Sequence, residues 1–94
     1  MQFTWDEHKN QINTRKHKVS FELATRVFDD PKHYSAQDRQ VEGEERWQTI
    51  GLVHGVMILL VAHTVEEEDQ GETIRIISAR AATPTERRQY EEAH

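Results

Sequence analysis

The sequence predicts an α+β domain, with two helices near the N-terminus and one at the C-terminus packed on an antiparallel β-sheet. Three observations carry this. Residues 46–53 and 56–65 are two strand-like runs separated by His54-Gly55, a dipeptide suited to a two-residue hairpin turn. Ile74-Arg75-Ile76-Ile77-Ser78-Ala79-Arg80 is a third run, rich in β-branched residues and free of turn residues until Thr83-Pro84. Ahead of these, Phe21, Ala24, Val27 and Phe28 recur at helical spacing and mark a core-facing stripe.

The elements follow in order. Phe3-Thr4-Trp5 reads as a short strand, and Asp6 as the N-cap of a helix over residues 7–18 whose only aliphatic residue is Ile12. That helix ends in Arg15, Lys16, His17 and Lys18, where its dipole favours cations. Ser20 opens a second helix over residues 21–28, stopped by Asp29-Asp30-Pro31. Residues 32–45 are polar and read mostly as loop, with a short edge strand at residues 33–35. The acidic stretch Glu66, Glu67, Glu68, Asp69 and Glu72 reads as a loop before the Ile74 strand. From Thr85 the composition is again helical, with Thr83 or Thr85 as the cap.

Composition bounds the function. The 94 residues, 35% hydrophobic and 31% charged, fit one domain with a modest core. The longest apolar run, residues 56–62, is far short of a bilayer span, and no basic-then-apolar leader is present, so a cytoplasmic, membrane-free protein is expected. Without cysteine there is no disulfide framework, thiolate zinc site or cysteine nucleophile. No HxxxH, HExxH or glycine-rich phosphate loop occurs, so neither metal nor cofactor is expected. The net charge of -5 argues against nucleic acid, yet the acidic stretch alone accounts for it, and Arg75, Arg80, Arg87 and Arg88 face only Glu86 in the segment after it.

The candidate chemistry lies on the sheet. A two-residue turn pairs residues whose numbers sum to 109, placing Arg46 opposite His63 at about 4.5–5.5 Å between Cβ atoms. If Ile74 and Ile76 share the face of Ile58 and Leu60, Arg75 joins Arg46 and His63, while Arg80 turns to the other face. A lone sheet histidine is more often a hydrogen-bonded core residue. Two arginines and a histidine together suit phosphodiester chemistry, because guanidinium groups hold phosphate oxygens and histidine moves protons near neutral pH. A tyrosine on the last helix could stack on a base or donate a proton. Glu44-Glu45 reads as a solvated face.

Several segments resemble one family, the BrnT toxins of bacterial type II toxin–antitoxin pairs. They are Phe3-Thr4-Trp5-Asp6 with Lys9 and Asn13; Lys16-His17 leading to Val19-Ser20-Phe21-Glu22; Val27-Phe28-Asp29-Asp30-Pro31; Glu45-Arg46 with Ile50-Gly51; residues 74–82; and Glu86-Arg87 with Tyr90. The family's glycine after Lys-His is Lys18 here. The resemblance implies a RelE-like fold and a metal-independent endoribonuclease that inhibits translation. It implies a ribbon-helix-helix, BrnA-like antitoxin partner, and operator DNA contacted only through that complex. The implied active residues are Arg46, Arg75, Arg80 and Tyr90, to which the strand pairing adds His63; Lys16, His17 and Arg87 are candidate RNA contacts. The competing expectation is a catalytically weak binding module of the same fold, acting through its antitoxin.

Overall fold

The computed structural model describes residues 1–93; His94, the last residue of the expected C-terminal helix, lies outside the described residues. The elements are β1 (Gln2–Thr4), α1 (Glu7–His17), α2 (Phe21–Ala24), a 3₁₀ segment (Thr25–Asp29), β2 (Tyr34–Val41), β3 (Glu44–Val53), β4 (Met57–Glu68), β5 (Gly71–Ala81) and α3 (Pro84–Glu92). They build a five-stranded sheet in the order β1-β5-β4-β3-β2. The sheet is mixed rather than purely antiparallel, because β1 pairs parallel to β5. Two stretches expected as loop are strand. Residues 34–41 and 44–45 form a hairpin around Glu42-Gly43, both at positive φ, and the acidic stretch continues β4 and opens β5.

One sheet face is buried under α1, α2 and the 3₁₀ segment. Val19, Phe21, Ala24 and Val27 meet Val53, Leu59, Val61, Ile74, Ile76 and Ala79 there. The expected helix over residues 21–28 is a single α-turn that tightens to 3₁₀. Thr25 Oγ1 donates to Glu22 O at 2.7 Å, and the 3₁₀ backbone lies directly on Gly51, where a Cβ would meet Val27 O at 2.8 Å. A glycine in the middle of a central strand is thus required by close approach, not by a turn.

α1 docks by polar contacts. Ile12 is 46% exposed, whereas Asn10 and Asn13 are buried. The Asn13 amide donates to Val19 O at 2.8 Å and to Ala79 O at 2.9 Å, and accepts from Ala79 N at 3.2 Å. β1 covers β5 only from Thr73 to Arg75, so Asn13 satisfies edge backbone beyond the reach of β1. Asn10 accepts from Phe21 N at 2.8 Å and donates to Glu22 at 2.9 Å, tying α1 to α2. Lys18 closes α1 at φ 62, its N–H bonded to Thr14 O at 2.9 Å. A lysine therefore occupies the left-handed position that glycine adopts without strain.

Two register shifts set the faces of the strands. His54 and Gly55 both have positive φ and Val56 N reaches Val53 O at 3.2 Å, as a two-residue turn requires. Val53 nevertheless pairs with Met57, leaving Val56 as an extra, exposed residue. Paired numbers sum to 110, so Trp47 and not Arg46 faces His63. On the other side of β4, Ala62 pairs with Ser78 but His63 pairs with Ile76. Ile77 is the bulged residue of β5.

Two stability measurements test this account. Asn13→Ala lowers unfolding free energy by about 3 kcal/mol, since it strands buried backbone groups, while Ile12→Ala stays within about 0.5 kcal/mol; equal losses in denaturant melts would contradict polar docking of α1. Lys18→Gly raises stability by about 1 kcal/mol by relieving the left-handed residue, and a lower midpoint would refute the strain.

Candidate active site

The face of the sheet turned away from α1 carries Arg46, Ile50 and Leu52 from β3, Ile58, Leu60 and Thr64 from β4, and Arg75 and Arg80 from β5. Arg75 and Arg80 are five residues apart and would point to opposite faces of a regular strand. The bulge at Ile77 restores one step, so both arginines share this face while Ile74, Ile76 and Ala79 share the core. The expectation that Arg80 turns to the other face is therefore overturned. Arg75 and Arg80 lie opposite Thr64 and Leu60, four residues apart on β4, so they stand about 13 Å apart at ~3.3 Å per residue, which makes two arginine centres rather than one.

At the first centre, the Glu44 carboxylate lies between two guanidinium groups. It accepts from Arg75 Nη2 at 2.6 Å and lies 3.5 Å from Arg46 Nε. Thr64 is the cross-strand partner of Arg75. Arg46 Nε and Thr64 Oγ1 are buried and lack any hydrogen-bond partner among the described residues.

At the second centre, α3 covers the sheet. Thr83 caps it in a reciprocal capping box with Glu86, and Pro84 occupies the first turn, where its missing N–H costs nothing. Glu86 also receives both Arg80 nitrogens, at 2.7 and 3.0 Å. The Arg80 hydrogen bonds outweigh partial burial and hold the Glu86 carboxyl down at about 2, while Glu86 in turn raises Arg80. Tyr90 packs with Ile50 and Ala82, its ring stacked at 6.5 Å on Tyr34, and its hydroxyl donates to Asp30. Burial first, and the Asp30 carboxylate second, push the phenol up to about 12. Burial alone would raise Asp30; hydrogen bonds from Leu52 N–H, Tyr90 and Lys32 N–H outweigh it and hold the carboxyl below its ordinary value.

His63 is not on this face. The one-residue shift in the β3–β4 pairing turns it into the core, where it is 1% exposed. Its Nε2 lies 2.6 Å from Thr49 Oγ1, its Nδ1 3.2 Å from Thr64 O, and the Phe28 ring meets it edge-on at 5.3 Å. Desolvation lowers its pKa, only partly offset by the Thr64 carbonyl, so the ring is neutral near pH 7. Thr64 takes the place beside Arg75 that the 109 register assigned to His63. Lys16 and His17 sit on α1, beside Ile77 and Ser78 at the edge of β5, apart from both arginine centres. Arg87 is exposed on α3.

The sequence reading missed Glu44, Thr64, Asp30 and Glu86. Thr83-x-x-Glu86 is a visible capping-box signature. Asp30 carries no local signal, since it reaches residues 22 and 60 positions away.

The second centre gives a pH dependence at each end. Glu86 has a folded pKa below its ordinary 4.5, so its contribution is whole above 4.5 and lost as pH falls toward about 2. Tyr90 has a folded pKa above 10.0, so its contribution is whole below 10 and lost as pH rises through about 12. Amide chemical shifts of α3 recorded across both windows should report undocking before global unfolding. Shifts indifferent to both would show that neither group holds α3.

The comparisons with known proteins bear on the family and the fold. Residues 5–86 match the model of the family described as ribonuclease toxin, BrnT, of type II toxin–antitoxin system. No curated protein matches. Among solved structures, the Brucella abortus ribonuclease toxin BrnT superposes with a TM-score of 0.62 at 27% identity, covering 88% of this chain and 97% of that one. Its α+β fold is thus shared with this chain, and a toxin of such a system implies an antitoxin partner. With a family model spanning residues 5–86, from α1 through β5, the chain belongs to the BrnT family of ribonuclease toxins of type II toxin–antitoxin systems.

Proposed function

We propose that the chain is a metal-independent endoribonuclease of RelE-like fold, acting on the arginine face of the sheet. It inhibits translation in the cytoplasm until a ribbon-helix-helix antitoxin neutralises it, and operator DNA is contacted only through that complex. The observation that carries the reading is the bulge-enforced placement of Arg46, Arg75, Arg80 and Tyr90 on one face. In this reaction the RNA 2′-oxygen attacks the adjacent phosphorus, its proton passing to solvent water, and the P–O5′ bond breaks as the leaving 5′-oxygen takes up a proton. The products are a 2′,3′-cyclic phosphate and a 5′-hydroxyl. Charge developing on the phosphoryl oxygens is met by Arg46 and Arg75, whose guanidinium groups need no metal to do so, while Arg80, at the second centre, faces a different phosphate of the strand. With its pKa pushed up to about 12, Tyr90 stays a neutral phenol and suits a proton donor rather than a base. Arg87 adds phosphate contact from α3; Lys16 and His17, at the edge of β5, would contribute only to RNA wrapping around that edge.

A second reading is favoured by one specific observation: Arg75 and Arg80 are each paired to a carboxylate of the same chain, and Tyr90 donates to another. Such a face suits a weakly catalytic module that acts by binding its antitoxin.

Incubating the purified chain with RNA in EDTA separates the two. The ribonuclease reading expects 2′,3′-cyclic phosphate ends, with the rate cut about 10²-fold or more in a folded Arg75→Ala variant. Folded protein that leaves RNA intact, both alone and on translating ribosomes, decides for the binding module.

A further inference from the structure

We propose that Glu44 is an internal anion lodged in a phosphate subsite formed by Arg46, Arg75 and Thr64, and that a nucleic-acid phosphate binds by displacing it. The inference rests on the reading of this face as the RNA face and deepens it by specifying what occupies the subsite before RNA arrives.

The two carboxylate–arginine contacts on the face differ in kind. Glu86 is fully engaged: both oxygens meet Arg80, and one also accepts Thr83 N–H in the capping box, so displacing it would unmake the start of α3. Glu44 has no such second duty. It hydrogen-bonds Arg75 alone and approaches Arg46 Nε at 3.5 Å without bonding it. It is also the first residue of β3, beside the open Glu42-Gly43 turn, with its side chain 38% exposed. Its route to water is short.

The subsite has hydrogen-bonding capacity that the Glu44 carboxylate leaves unused. Among the described residues Arg46 Nε has no hydrogen-bond partner, and neither does Thr64 Oγ1 on a residue only 3% exposed. Buried polar atoms left unpaired are costly, and two at one place mark a missing acceptor. A planar carboxylate turned toward Arg75 leaves both atoms unserved. A phosphodiester, with four oxygens in a tetrahedron, offers acceptors in more directions, to the Arg75 fork, Arg46 Nε and the Thr64 hydroxyl together. Exchange of Glu44 for phosphate therefore keeps the charge balance of the arginine pair while satisfying two orphaned donors.

The experiment uses a fluorescein-labelled single-stranded DNA oligonucleotide, which lacks the 2′-hydroxyl and so reports binding without cleavage, read by anisotropy on the full chain. Glu44→Gln should tighten binding about fivefold, as removal of a competing ion pair predicts, and steepen the log K versus log salt slope by about 0.7 for one added phosphate contact. Glu45→Gln removes the same charge from the neighbouring exposed residue and serves as the control, with less than about twofold change. Thr64→Val in the Glu44→Gln background should lose part of the gain, and Arg75→Ala all of it. Equal tightening by Glu44→Gln and Glu45→Gln would reduce the effect to net charge and overturn the proposal. Weaker binding in Glu44→Gln would make Glu44 a support for the arginines and overturn it too. Binding that depends on Arg75 but ignores Glu44 removes the internal anion while leaving the RNA face standing. Binding that ignores Arg75 in every variant removes both.

Discussion

The bulge at Ile77 is the constraint on which the site depends. Without it, the alternation of β5 would send either Arg75 or Arg80 into the core, where an unpaired guanidinium is not tolerated. With it, Ile74, Ile76 and Ala79 all reach the core, and both arginines reach the opposite face. An extra residue breaks the ladder and bends the strand. On the other edge of β5, the Asn13 amide takes both the N–H and the C=O of Ala79, two residues past the bulge, and fixes the strand there. The buried asparagine of a helix with almost no apolar surface and the arginine face of the sheet are therefore parts of one arrangement.

That coupling explains why α1 is built as it is. A helix docked by an apolar stripe can slide by a turn with modest loss, whereas one docked through amide pairs to fixed backbone atoms has a single register. Asn10 ties α1 to the start of α2 and Asn13 ties it to β5, so the helix locates the bulged edge rather than merely covering it. The 3₁₀ segment serves a related end from the other side. By lying flat on Gly51 it brings Asp30 within reach of Leu52 N–H and the Tyr90 hydroxyl. One carboxylate thereby joins the N-terminal half to α3, across the edge of the sheet.

What was legible in the sequence follows the same physics. The helices, the His54-Gly55 turn, the capping residues Asp6 and Ser20, and the strand at Ile74 all leave local marks. Family membership was legible too, through short segments in fixed order. Register was not. From Met57 to Ala62 the chain is continuously apolar, so alternation has no phase there, and the registers summing to 109 and 110 bury nearly equal surface. The extra residue at Val56 decides between them, and with it whether His63 or Thr64 joins the arginine face. The bulge at Ile77 is equally silent, because its isoleucine looks like any strand residue. Residues 36–45, beyond the short edge strand expected at 33–35, were misread for another reason: an edge strand exposed along most of its length has the polar composition of a loop.

The charge distribution then ceases to be a paradox. A net charge of -5 would oppose an RNA strand if spread evenly, but Glu66, Glu67, Glu68, Asp69 and Glu72 extend β4 and β5 beyond Arg75, at one end of the sheet. Screening confines their field to roughly 8–10 Å in physiological salt. They bear on the Arg46–Arg75 centre, only a few residues away along the strands, and much less on Arg80, about 13 Å further along the sheet. Of the two centres, the one nearer the acidic hairpin is also the one whose arginines are bridged by the exposed Glu44. The other is closed by α3 through Glu86 and Tyr90. Both ends of the face are thus paired with carboxylates, one on the half-exposed side chain of Glu44 and one on the capping residue of α3. An acidic protein can carry an anion-binding face on these terms, because its carboxylates sit at, rather than around, the groups they oppose.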